Sequence, residues 1–246
     1  MRLRIAALSA LVVIGSSTLA FAQTQPAPTA TQRTVIAATK LPSVVDKPLD
    51  FRAVNITLAP GGSETIATAE GIFYQLAGSA EVAADGESTT LAAGSGVYIA
   101  AGRSAKVTTK GSEPSTILYF ALTPAGVAGP TSASIKEVYR TSQPIAGLKP
   151  GRHDLNLTRV TFPAAMPSNA PHHRTGAALY YVISGSGVQT VEGQPDTKPA
   201  GTFILEPGGL VHQWGNPGVT PLTFLSFNIN QEGVPAVTPG RPAATQ

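Results

Sequence analysis

The side chains able to do chemistry are few and lie together in the second half of the chain. All four histidines, His153, His172, His173 and His212, fall within sixty residues of one another in a chain of 246. Imidazole is the commonest metal ligand and carries protons near neutral pH. His172, His173 and His212 are therefore the candidate ligands for one divalent transition metal, with Glu206 as a further candidate; binding without any metal is the alternative. Arg174, Tyr180 and Trp214 are the candidate contacts for a small molecule. A guanidinium recognises a carboxylate or similar anion in fork geometry, and phenol and indole rings add apolar area with a polar tip. His153, in the stretch GRHDLNL, reads as a surface residue, and Asp154 beside it makes no catalytic dyad without geometry to support it.

Other chemistries are excluded by what the chain lacks. There is no cysteine, hence no thiolate ligand, no thiol nucleophile and no disulfide. No nucleophile elbow, phosphate-binding loop or HExxH is present. The acids are sparse and sit in turns such as Glu192 to Asp196, which gives paired-carboxylate hydrolysis no support.

The element that positions His212 runs from Gly201 to Asn216, GTFILEPGGLVHQWGN. It reads as a strand over Thr202 to Leu205, a turn over Pro207-Gly208-Gly209, and a second strand from about Leu210 that carries His212 inward. Proline fixes φ and glycine admits a positive φ, so the turn has a local cause. The stretch has a counterpart earlier in the chain. Tyr181 and Gly185 match Tyr74 and Gly78 at an offset of 107, and Gly201, Gly209 and Pro221 match Gly94, Gly102 and Pro114 at the same offset. Runs such as Ser115–Leu122 and Leu222–Ile229 are apolar and rich in β-branched or aromatic residues, as buried strands are.

The spacing G-x5-P-x-G-x2-H-x3-N resembles the second conserved motif of the cupin family. That resemblance implies an all-β fold of two tandem double-stranded β-helix (jelly-roll) barrels, a bicupin, with a metal ligand at the position of His212. The family's first motif places two histidines one residue apart, then a glutamate, then a glycine; anchored on Gly185, its glutamate falls on Ala178. With a three-residue gap the two histidine positions fall on His172 and Arg174, with a four-residue gap on Pro171 and His173, so the motif is eroded in either register. In the three-residue register, strand alternation puts His172, Arg174, Ala178 and Tyr180 on the inner face, and His212 shares a face with Trp214. His172 and His173 then face opposite ways unless a bulge intervenes. The face of Glu206 is not fixed through the turn. In the first repeat the positions of Pro207, His212 and Asn216 hold Ala100, Ala105 and Thr109, and no histidine occurs there at all. If a metal is catalytic, the family implies oxygenase- or isomerase-like chemistry; the alternative is a non-catalytic, metal-free binding or structural protein.

The division expected along the chain is a signal peptide over 1–22, a disordered leader over 23–32, barrels over 33–127 and 133–235, and a disordered tail over 236–246. Arg2 and Arg4 precede an apolar run, and Ala20-Phe21-Ala22 offers a peptidase site, which implies export to the periplasm or medium. Two of the 17 basic residues and none of the 14 acidic ones lie in that leader, so the mature chain carries a net charge near neutrality. With no basic patch interleaved with aromatics, a nucleic-acid partner is not expected. No later stretch is apolar over the ~20 residues a membrane span needs. The expected partner is a small molecule, with the chain a monomer or homodimer. Only 13% of residues are charged, while 25 glycines and 21 prolines fit a turn-rich all-β chain.

Overall fold

The computed structural model describes residues 27–240 except 43 and 45; the expected signal peptide, the start of the leader and residues 241–246 lie outside this range. Among the described residues there are nineteen strands and no helix, so none that could cross a membrane. The first nine are β1 (Gln32–Leu41), β2 (Leu49–Leu58), β3 (Ser63–Ala67), β4 (Glu70–Ala77), β5 (Ser79–Ala84), β6 (Glu87–Ala92), β7 (Gly96–Ile99), β8 (Ser104–Thr109) and β9 (Ser115–Pro124). There follow β10 (Ile135–Arg140), β11 (His153–Phe162), β12 (His172–Arg174), β13 (Ala177–Ser184), β14 (Ser186–Val191), β15 (Gln194–Pro199), β16 (Phe203–Glu206), β17 (His212–Gly215), β18 (Leu222–Gln231) and β19 (Val237–Pro239). β4, β5, β6, β7 and β9 recur as β13, β14, β15, β16 and β18 at the offset of 107 seen in the sequence. The tight hairpins repeat too: Asp85-Gly86 and Glu192-Gly193 both take positive φ at both residues, the two-residue turn whose twist matches that of the strands.

The strands form two jelly-roll barrels. The first joins a five-stranded sheet, β10-β2-β9-β4-β7, to a four-stranded one, β3-β8-β5-β6; the second joins β1-β11-β18-β13-β16 to β15-β14-β17-β12-β19. Strand alternation sorts their side chains into three cores. Val54, Ile56, Phe73, Val107 and Tyr119 fill the first barrel, and Val160, Phe162, Tyr180, Trp214 and Phe224 fill the second. The opposite faces of the two five-stranded sheets meet in a third core that includes Phe51, Phe120, Leu157, Leu179 and Phe227. There Phe227 lies 5.6 Å from Phe51 and 5.8 Å from Phe120 between ring centroids, contacts each worth about 0.5–1.5 kcal/mol beyond the area they bury.

Strand pairing crosses the division expected from the sequence. β1 pairs along its length with β11, at the edge of the second barrel, and β10 pairs with β2, at the edge of the first. The assignment of 33–127 to one barrel and 133–235 to the other thus misplaces an edge strand of each, because a non-local pairing leaves no local sequence mark. The tail expected to be disordered from 236 instead begins with β19, whose Val237, Thr238 and Pro239 pair with β12. Its carbonyls and amides complete a short edge strand that would otherwise be open on that side.

Candidate functional site

The turn at Pro207–Gly209 does for this site what its composition suggests. Gly209 has φ +80° and its N–H donates to the carbonyl of Arg174 at 2.9 Å, tying the turn to β12. Asn216 is structural: its amide donates to the carbonyls of Pro163 and Thr220, at 2.8 and 2.9 Å, and closes the loop before β18. β12 and β17 meet at the pair His172–His212. The two rings lie 4.4 Å apart between centroids, tilted by 56°. In each ring Nδ1 sits 2.9 Å from the carbonyl two residues earlier, Ala170 for His172 and Leu210 for His212. Each Nδ1 therefore carries the proton and each Nε2 is left to face the barrel interior. His173 points the other way, with Nε2 2.7 Å from the Thr238 hydroxyl on β19. Of the adjacent histidines it is His172 that faces inward, as alternation requires.

Beneath the imidazole pair lies a buried ionic cluster centred on Glu206. Glu206 sits directly across from Ala178 in the β13–β16 register, so a carboxylate occupies the space beside the small side chain. Its Oε2 accepts from Arg174 Nε at 2.8 Å, and its Oε1 accepts from Trp214 Nε1 at 2.7 Å and Gln189 Nε2 at 3.2 Å. His212 Nε2 lies 3.0 Å from the same Oε1, but off the in-line direction, so that nitrogen has no hydrogen-bond partner. Arg174 also donates to the Tyr180 hydroxyl and, at 3.3 Å, to Ser226, which leads on through Asn228 to Asn156. Glu206 is fully buried and Arg174 nearly so.

Burial by itself would favour the neutral form of Glu206, but His212 and Arg174 overcome it and hold its carboxyl down at about 2. Burial likewise disfavours the His212 imidazolium, and Glu206 more than offsets this, so its pKa is raised. His172 is lowered, chiefly by burial, partly countered by the Ala170 carbonyl, with His212 lowering it further. Tyr180 is raised by burial despite the neighbouring guanidinium.

The structure brings together His172, Arg174, Tyr180, Glu206, His212 and Trp214, and leaves His173 and His153 outside. His153, expected at the surface, is 1% exposed at the start of β11. Tyr180 and Trp214 are buried in the barrel interior, and Arg174, buried with them, borders a cleft that opens outside the barrel beside His153 and His173. Arg174 is engaged by an internal carboxylate, and Tyr180 and Trp214 pack on Phe224 with ring centroids 5.1 and 5.7 Å away. Gln189, Ser226 and Asn228 belong to the cluster without having been singled out in the sequence; the available signal was a polar residue at an inward position of an otherwise apolar strand, as at Ser226 and Asn228 within Leu222–Ile229.

The donors as placed do not make up a metal site. Among the described residues no three of His, Cys, Asp and Glu are arranged around a common point. Both lone-pair directions of the Glu206 oxygen that faces the imidazoles are already taken by Trp214 and Gln189. Two imidazoles remain, beside a fixed guanidinium. The first barrel supplies a control. At the offset of 107, Ala67, Phe73, Val82, Ile99, Val107, Tyr119 and Ala121 stand for Arg174, Tyr180, Gln189, Glu206, Trp214, Ser226 and Asn228. The same fold is thus built there on apolar packing, with Phe73 stacked 4.2 Å from Tyr119. Burying an ion pair is therefore no requirement of this architecture.

Comparison with known proteins agrees with the fold. Residues 158–228 match the family model described as a cupin domain. No curated protein matches the chain in sequence. Among solved structures, Bacillus subtilis oxalate decarboxylase, a protein with Mn(II) centres, is similar at 17% identity with a TM-score of 0.52, over 88% of this chain and 80% of that one. AerE from Microcystis aeruginosa is similar at 14% identity with a TM-score of 0.54, over 80% of this chain and 99% of that one. At such identities the likeness is one of fold.

Proposed function

We propose that this chain, whose residues 158–228 match a cupin-domain model of a fold that hosts many activities, is an exported, non-catalytic protein that binds a small molecule in the second barrel and works without a metal. The observation that carries this reading is the Arg174–Glu206 pair. Its guanidinium supplies, as a fixed part of the chain, the positive charge a divalent ion would otherwise bring to this position. Adding a divalent ion would leave the cluster with a large uncompensated charge in a dry interior, which is costly. What the barrel offers a ligand is the half-buried His172 at its mouth, backed by His212 and through it by Glu206. An imidazole pair of this kind suits a small molecule bearing hydrogen-bond acceptors or negative charge.

A second reading is favoured by one observation. A His212 Nε2 lone pair 3.0 Å from a carboxylate oxygen is repulsive unless that nitrogen binds a proton or another cation. A divalent ion on His172 and His212 would answer the same need, and it would polarise a ligand oxygen, the Lewis-acid role behind oxygenase- or isomerase-like chemistry. Elemental analysis of mature protein, purified without chelators, separates the two. The metal-free reading expects less than about a tenth of an equivalent of any transition metal. About one equivalent, lost in His212→Ala, overturns it.

A further inference from the structure

We propose that a cleft outside the second barrel is a binding site for a small carboxylate anion. The cleft holds about 360 Å³ between the connection Gly147–Lys149, the start of β11, the turn joining β12 to β13 and the end of β18. Pockets of this order accept small metabolites. Its polar side chains are the Lys149 ammonium, the His153 and His173 imidazoles, the Gln231 carboxamide and the Thr175 hydroxyl, with Arg174 bordering it from the barrel side and no acidic residue among those that border it. His153 is buried and its Nδ1 lies 3.0 Å from the carbonyl of Gly151, which fixes the ring and leaves Nε2 as the nitrogen available for another partner. The nearby carboxylate of Glu232 is already engaged by Lys40 and Arg152, so it does not compete for Lys149.

The first repeat makes the argument independent of any single residue. His153 lies opposite Gln231 in the β11–β18 register, and Leu49 lies opposite Pro124 in the matching β2–β9 register. A cleft of about 330 Å³ occupies that same place on the first barrel, bordered by Leu41, Leu49, Leu122 and Pro124 and by Thr68 and Ala69, the counterparts of Thr175 and Gly176. The fold makes the cavity in both halves. Only the second half furnishes it with a lysine and two histidines, and the lysine's charge-assisted bond to a carboxylate is about twice as strong as a neutral one. This site is separate from the barrel mouth and does not depend on whether the interior holds a metal.

Succinate is the probe, titrated at low ionic strength into ¹⁵N-labelled mature chain, with neutral succinamide as its control. Saturable binding is expected with a Kd at or below about 1 mM, with amide shifts concentrated at Gly176 and Gln231, and with no response to succinamide. Lys149 is exposed, so Lys149→Glu leaves the fold intact; it is expected to weaken succinate at least about tenfold. His153→Gln, checked for folding by its thermal transition, is expected to weaken it about fivefold. No saturation by about 20 mM, an unchanged Kd in Lys149→Glu, equal binding of succinamide, or shifts centred on His172 instead would each overturn the proposal.

Discussion

Replacing Arg174 by methionine tests how the second barrel is held together. The side chain that is lost bonds Glu206 at 2.8 Å, the Tyr180 hydroxyl, and Ser226 at 3.3 Å, all within the barrel. Methionine fills much of the volume but leaves Glu206, fully buried, with only its Trp214 and Gln189 donors and the His212 contact. Removing one partner of a buried pair costs about 3–5 kcal/mol, which for a domain of this size lowers Tm by roughly 6–20 °C. The sign of the pH dependence is the sharper test. Without Arg174 the Glu206 carboxyl loses one of the cations that hold it at about 2, its folded pKa rises toward the unfolded value of about 4.5, and the variant's deficit against wild type shrinks as pH falls from about 4.5 toward 2. Urea unfolding at pH 7 and pH 3 measures both effects, and Arg174→Met/Glu206→Gln, which removes both charges, should recover most of the loss at pH 7. A cost below about 1 kcal/mol at pH 7, or a single variant whose deficit against wild type is no smaller at about pH 3 than at pH 7, refutes the reasoning.

Three further outcomes follow from the geometry. His212 has a raised folded pKa, so its contribution is complete below its unfolded value of about 6.5 and fades as pH rises through the folded pKa; stability measured from pH 6 to 9 should fall more steeply in wild type than in His212→Gln. Glu206 behaves in the opposite sense: its contribution, on the order of 3 kcal/mol, is present above about pH 4.5 and lost toward pH 2, and Glu206→Gln should flatten acid unfolding in that window. A Cβ added at Gly176 would stand 2.0 Å from the Ile229 carbonyl oxygen, backbone that cannot swing aside, so Gly176→Ala should cost about 1–3 kcal/mol or more by chemical denaturation.

The fold was readable because its signals are local and repeated. The turn glycines at 94, 102, 201 and 209 all take positive φ, and the offset between repeats survives as an offset between strands. Alternation alone placed His172, Arg174, Tyr180 and Trp214 on the interior, since period 2 carries through any regular strand. It could not say what Arg174 would meet there. The turn between Glu206 and His212 hides their relative faces, so an internal carboxylate was indistinguishable from an external anion. The exchange of β1 and β10 and the docking of β19 were not legible either, because edge pairing is decided by open hydrogen-bonding groups far away in sequence.

That exchange sets an order in which the molecule can be completed. Counting from the N-terminus, β1 has no partner until β11 has been made, and the β2 edge of the first barrel stays open until β10 arrives. Neither half can be finished before the other has begun, and many contacts must wait for distant chain, a topology that slows folding and leaves strand edges open in the meantime. The repeats thus cannot be separated by cutting the sequence between them. A fragment ending before β10 would carry both an unsatisfied β2 edge and a stray β1, so the two barrels gain their last edge strands only when both repeats are present.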